Sequence, residues 1–232
     1  MINIYKNLYR NNKSLGKLQN NPRIKVMAHI ANKLNLENKN ILDIGCYDGT
    51  FLALIKNRSN DFYGVEASDY GVIESSKKKI HVEQFFFDDK TKIPYDDNFF
   101  DLIIAGEIIE HIYDTDFFLE EIKRLLKSNG KLIISTPNVA SLGRRLLLLI
   151  GKSPIIEDSP NESDSSGHIR YFTFETLRNL LNKHDFELIE ERSDVVNFSS
   201  GGFSKSKLLA RIFPRIGQSV IALCRNRKVS KQ

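Results

Sequence analysis

The chain has 232 residues, 41% of them apolar and 27% charged, enough for one large domain or two small ones with a buried core. Its two cysteines, Cys46 and Cys224, lie far apart, which argues against a disulfide scaffold or a thiolate zinc site and favours a reducing compartment. The net charge of +5 is concentrated at the ends, where residues 1–40 and 201–232 each carry eight Lys/Arg; such ends suit phosphate of nucleic acid, a nucleotide sugar or a membrane surface, or serve solubility alone.

Residues 1–39 read as an N-terminal arm and a helix, and residues 40–232 as a single domain. The arm has no apolar core of signal-peptide length. In "PRIKVMAHIANKL" the apolar spacing of Ile24, Met27, Ile30 and Leu34 predicts a helix. "NILDIG" reads as a buried strand, and "CYDGTFLALIKNR" as a glycine turn opening into a helix. "DFYGVEAS" is a second strand, "YGVIESSKKK" a helix, "HVEQFFFDD" a third strand and "FDLIIAGE" a fourth. "TDFFLEEIKRLLKSNG" is an amphipathic helix closed by Asn-Gly, and "KLIISTPN" a fifth strand. The pattern then breaks over about 138–167, where a basic-apolar helical turn, "SLGRRLLLLIGK", runs into a segment of loop composition, the expected lid or acceptor insert. Its run "LLLLI" at 146–150 is too short to span a bilayer, so no integral membrane segment is expected and the default location is cytoplasmic. The helix "TFETLRNLLNKHDF", the strand "FELIEERSDVV", a basic insert at about 199–217 and the strand "SVIALCR" complete the chain.

Apolar strands alternating with helices predict an α/β fold, a doubly wound, mostly parallel sheet covered on both faces, and the last pair suggests an added antiparallel strand. Ligands of such sheets sit beyond the carboxyl ends of the strands. In "ILDIGCYDG", Asp43 ends strand one, and Gly45 and Gly49 let the backbone approach a ligand. Glu66 ends strand two about twenty residues after the glycine turn, where an acid accepts both ribose hydroxyls. Asp88 or Asp89 ends strand three, within reach of an adenine amino group. Acids at three successive strand ends make a nucleoside site.

The set "LDIGCYDG", "GVEAS", "IPYDDNFFDLIIAGEIIEHI", "FLEEIKRLLKSNGKLIISTPN" and "HIRYFTFETLRNLLNKHDFELIE" resembles the class I S-adenosylmethionine-dependent methyltransferases, among them ubiquinone-pathway O-methyltransferases and methyltransferases of surface-glycan clusters. The resemblance implies a Rossmann-like, seven-stranded sheet with a reversed last strand. It implies that Asp43, Gly45, Cys46, Tyr47 and Gly49 surround the methionine part of the cofactor. Glu66, beside Ala67, would hold the ribose and Asp88 the adenine, with Glu107 a further cofactor-binding residue. Tyr47 stands where the family has its middle glycine, so its side chain must point away from the ligand or cover it. Tyr5, Tyr9 and Arg10 of the arm would fold over the cofactor, Arg10 meeting its carboxylate.

"GEIIEH" places Glu107, Glu110 and His111 where strand four stops. A helix starting near Glu107 would put them on one face at i, i+3 and i+4. With His168 from "GHIRYF", this grouping resembles the metal site of small-RNA 3′-terminal 2′-O-methyltransferases. A divalent ion there would hold the acceptor hydroxyl and lower its pKa. Without a metal, His111 or His168 is the general base. Glutamates also suit the first turn of any helix, so these letters have a purely structural reading as well. The leading expectation is O-methylation of a small polar acceptor, a sugar or a glycan-biosynthesis intermediate. RNA ribose 2′-O-methylation is the first alternative, and a non-catalytic binding protein on the same fold the second.

Overall fold

The computed structural model describes residues 20–55, 57, 59–87, 90–154, 167–198 and 205–227. Helix α1 (Pro22–Lys33) starts with Pro22 in the first turn, and the Asn21 side chain accepts from the Arg23 amide as N-cap. Then follow β1 (Asn40–Ile44), the short α2 (Thr50–Leu54), β2 (Asp61–Glu66), α3 (Asp69–Ser76), β3 (His81–Gln84), β4 (Phe100–Gly106), α4 (Thr115–Leu125) and β5 (Leu126–Pro137). Beyond them lie α5 (Leu142–Leu149), α6 (Phe174–Lys183), β6 (Phe186–Arg192), a two-stranded ribbon of β7 (Val196–Asn197) and β8 (Lys205–Ser206), α7 (Lys207–Ile212) and β9 (Ser219–Asn226).

The seven-stranded sheet has the order β3-β2-β1-β4-β5-β9-β6, and β9 runs antiparallel to both its neighbours. Strand order reverses between β1 and β4, so the crevice at their carboxyl ends is where a ligand is expected. The period-2 pattern of the strands separates two cores. Leu42 and Ile44, Ile103 and Ala105, and Val220 and Ala222 face the layer of α4 and α6, with Phe118, Ile122 and Leu177. Ile41, Leu102 and Ile104, and Ile221 face the layer of α1 and α2, with Met27, Ile30 and Leu52. Both faces are thus covered, as a parallel sheet requires.

Three local expectations need correction. Asn129-Gly130 does not stop the helix: α4 ends at Leu125 and the chain enters β5 directly. Asn129, at φ +62°, instead sits in an irregular step of that strand, where Phe100 pairs Leu126 and Leu102 already pairs Lys131. The third strand is shorter than its apolar run, ending at Gln84; the Phe85 amide makes one more bond, to the Glu66 carbonyl at 2.9 Å, and the Phe85 and Phe87 rings meet edge to face at 4.9 Å. No helix begins at Glu107. That residue is left-handed, φ +57°, and leads into a single 3-10 turn, Ile109–His111.

Candidate functional site

The loop after β1 is fastened to the end of β2. The amides of Gly45 and Cys46 both donate to the Val65 carbonyl, at 2.8 and 3.2 Å, and the Tyr47 amide donates to Glu66 Oε2 at 2.9 Å. The Ser68 amide and hydroxyl both donate to Glu66 Oε1 at 2.8 Å, and the same hydroxyl caps α3 by accepting from Gly71. The Glu66 carboxylate is therefore fixed at the crevice by two neighbouring loops. Gly71 makes this possible: a Cβ there would come within 2.6 Å of Glu66 Cγ and 2.8 Å of Ser68 Oγ. Ser68 and Gly71 were not singled out from the sequence, although a serine three residues ahead of a helical amide is an N-cap signal.

Gly45 and Gly49 have φ of +73° and +72°, and between them Tyr47 takes φ +47°. A non-glycine residue in that conformation costs about 1 kcal/mol. Its ring lies 5.9 Å from that of Tyr70, on the first turn of α3. Asp43 is buried, 5% exposed, and burial together with the nearby Glu66 charge holds its pKa well above the ordinary carboxylate range. It stands near the end of β1, beside the Gly45–Gly49 loop, where a cationic group of a ligand would suit its carboxyl. Burial likewise pushes up the Cys46 thiol, whose Sγ would meet any Cβ at Gly64. The expected adenine contact, Asp88, and the arm residues Tyr5, Tyr9 and Arg10 lie outside the described residues.

At the end of β4 the Glu107 amide continues the ladder to the Ser135 carbonyl at 2.9 Å. Its carboxylate meets Arg23 Nη1 of α1 at 2.5 Å and accepts from Ser135 Oγ at 3.3 Å. Nothing in the sequence ties Arg23 to Glu107; the contact exists because α1 packs against the sheet. Both line a cavity of about 390 Å³, together with Ser141, Arg144, Asp194 and Lys205.

Beyond Glu107, the segment 167–171 docks on the 3-10 turn. The amides of Ile169 and Arg170 donate to the Glu110 carbonyl at 3.0 and 3.1 Å, and Arg170 Nε donates to the Ile112 carbonyl at 3.0 Å. This brings Glu110, His111 and His168 together, one ligand atom from each within 4.8 Å of the others. Glu107 is not in that group, because the left-handed turn and Arg23 direct it elsewhere. His111 Nδ1 lies 3.2 Å from the Gly167 carbonyl, which can only accept, so Nδ1 carries a proton and the lone pair of the neutral ring is on Nε2. His168 Nε2 is 3.9 Å from Glu110 Oε1, and the two imidazoles meet edge to face at 4.8 Å.

Glu110 is 1% exposed, and neither carboxylate oxygen has a hydrogen-bond partner. Burial, and then the Glu107 charge, push its pKa up to about 8; the Thr136 hydroxyl works the other way without reaching hydrogen-bond geometry. An orphaned buried carboxyl beside two imidazoles is a donor set that fits a divalent ion. The same set, without an ion, is a proton-accepting group.

A model of a methyltransferase domain matches residues 19–191 of the chain. The ubiquinone biosynthesis O-methyltransferase of Pelagibacter ubique is 36% identical over 135 residues, covering 54% of this chain and 52% of that protein. The protein of the same name from Bartonella quintana is 27% identical over 175 residues, covering 74% and 69%. The chain thus spans about half the length of the Pelagibacter relative. Among solved structures, a SAM-dependent methyltransferase of Thermotoga maritima superposes with a TM-score of 0.65 at 19% identity, over 97% of this chain and 98% of that one.

Proposed function

This chain belongs to the methyltransferase-domain family and has the class I S-adenosylmethionine-dependent fold, and from that premise we propose that it O-methylates a small polar acceptor, a sugar or glycan-biosynthesis intermediate. The observation that supports the acceptor class is the cavity beyond β4 and β5, whose walls set Arg23, Glu107, Arg144 and Asp194 among Leu147, Val195 and three prolines. A sugar meets such mixed walls with hydroxyls on the charged groups and C–H faces on the apolar ones; a wholly apolar ring would leave the charged groups unsatisfied. The names of the Pelagibacter and Bartonella relatives support oxygen as the atom methylated.

When bound, the cofactor supplies an electrophilic sulfonium methyl. Glu66, held by the Tyr47 and Ser68 amides, accepts the ribose hydroxyls, with Ala67 beside it. Asp43 faces the amino-acid end across the Gly45–Gly49 loop. His168 takes the proton of the acceptor hydroxyl, with His111 alongside and Glu110 at 3.9 Å. Glu107, pinned by Arg23, closes the cofactor crevice toward the acceptor cavity.

The unpartnered Glu110 oxygens favour a second reading of the same residues, in which Glu110, His111 and His168 hold a divalent ion. That ion would bind the acceptor hydroxyl and lower its pKa. Manganese or magnesium is then expected to raise the melting temperature more at about pH 8 than at about pH 6, since bound metal displaces protons. An equal shift in Glu110→Gln, or full activity in excess chelator, would remove the metal from the reading and leave His168 as base.

The acceptor is tested by incubating the protein with methyl-labelled cofactor and fractionated cell extract. Label in nucleotide-sugar or glycan fractions, lost in His168→Ala, is the expected result. Label in RNA would replace it with ribose 2′-O-methylation. No transfer and no cofactor binding would leave a binding protein on a methyltransferase fold.

A further inference from the structure

Helix α5 buries none of its residues. Leu146, Leu148, Leu149 and Ile150 are 42%, 64%, 81% and 67% exposed, although nothing in a monomer's economy favours four adjacent apolar side chains in water. Helix α7 repeats the pattern: Leu208, Ile212 and Phe213 are 67%, 57% and 57% exposed while Ala210 alone is buried. Both helices contact β7 of the ribbon, which brings the two apolar sets to the same edge strand. Their charges have a single sign. Arg144, Arg145 and Lys152 accompany the first set, and Lys207, Arg211 and Arg215 the second, with no acidic residue in 141–153 or 205–217.

We propose that this edge docks on an anionic lipid bilayer, the leucines, Ile212 and Phe213 entering the acyl boundary and the arginines and lysines meeting lipid phosphates. Short helices with exposed apolar residues and a basic surround are the form that lies in a membrane interface. Long basic side chains flanking apolar ones suit it too, because their stems stay in the apolar layer while the charges reach the headgroups. A second copy of the chain fits worse, since a two-fold contact would lay this basic edge against itself. The position is also functional in its geometry: Arg144 and Leu147 of α5 and Lys205 beside α7 line the cavity, so the docked edge and the cavity wall are two sides of the same elements. The proposal stands independently of which acceptor is methylated.

The full chain is mixed with sucrose-loaded vesicles of phosphatidylcholine, with or without a minority of phosphatidylglycerol, and sedimented. Binding is expected only with phosphatidylglycerol, and to weaken in high salt. Lys207→Glu with Arg211→Glu should weaken it by about fivefold for each positive charge removed. Leu148→Ser, Leu149→Ser and Ile212→Ser together should weaken it at least roughly tenfold, with cofactor affinity unchanged by calorimetry as the check that the variant is folded. Failure to sediment with anionic vesicles at low salt would overturn the proposal. So would undiminished binding by the serine variant, which would mark adhesion by charge alone. A wild-type dimer that the serine substitutions dissociate, with no vesicle binding, would assign the edge to self-association instead.

Discussion

Glu110 shows how a single side chain couples the site to the stability of the fold. Its carboxyl titrates near 8 when folded, against an ordinary value of 4.5. Between those values the native state keeps a proton that the unfolded chain has released, so unfolding free energy falls as pH rises through the window. Glu110→Gln removes the ionisation. Its stability relative to wild type is expected to grow by a few kcal/mol between about pH 5 and about pH 8, measured by urea unfolding in the presence of chelator. A difference independent of pH would show that the carboxyl is solvated after all. Tyr47 is the contrasting residue. The sequence marks it as a departure, and the left-handed φ explains why glycine is the usual occupant, but its contact with Tyr70 depends on where α3 starts.

At the scale of elements, Asn138 joins the end of β5 to the approach of β9. It is fully buried; its Nδ2 donates to the Arg215 and Gly217 carbonyls at 3.1 and 2.8 Å, and its Oδ1 accepts from the Ala140 amide at 3.0 Å. Asn138→Ala strands all three groups and is expected to cost about 2–4 kcal/mol, with urea unfolding as the measure; a loss within error of zero would mean that water replaces the amide. Here the limits of the sequence are physical. Strands β1, β4, β5 and β9 are legible because burial on both faces makes their apolar runs nearly continuous. The turn at Glu107 was not, because "EIIEH" has helical letters and only the pairing of Glu107 with Ser135 and Arg23 forces the left-handed step. Likewise Asn-Gly is a helix stop by local rule, and the ladder between β4 and β5 overrides it.

At the scale of the whole molecule, the doubly wound sheet and the reversed strand were legible, since both follow from alternation and spacing, and so were Asp43 and Glu66 near the ends of β1 and β2; β3 ends at Gln84, and Asp88 lies outside the described residues. The assembly of the cavity was not. It takes residues from α1, α5, the end of β6 and the approach to β9, which no spacing relates. The exposed edge formed by α5 and α7 has the same origin. Each helix reads as ordinary amphipathic sequence, and only the fold shows both apolar sets exposed among the described residues.

The position of β9 also governs how the molecule can be made. Among the described residues it is the last strand of the sheet, yet it sits inside the sheet, and it is the strand through which β6 is joined to β5. A chain emerging from the ribosome therefore carries β5 with an open edge, and β6 with no neighbour, until Ser219–Asn226 has left the exit tunnel. A reading frame interrupted anywhere before Ser219 would not yield a smaller enzyme. It would leave the edges that β9 covers open to association.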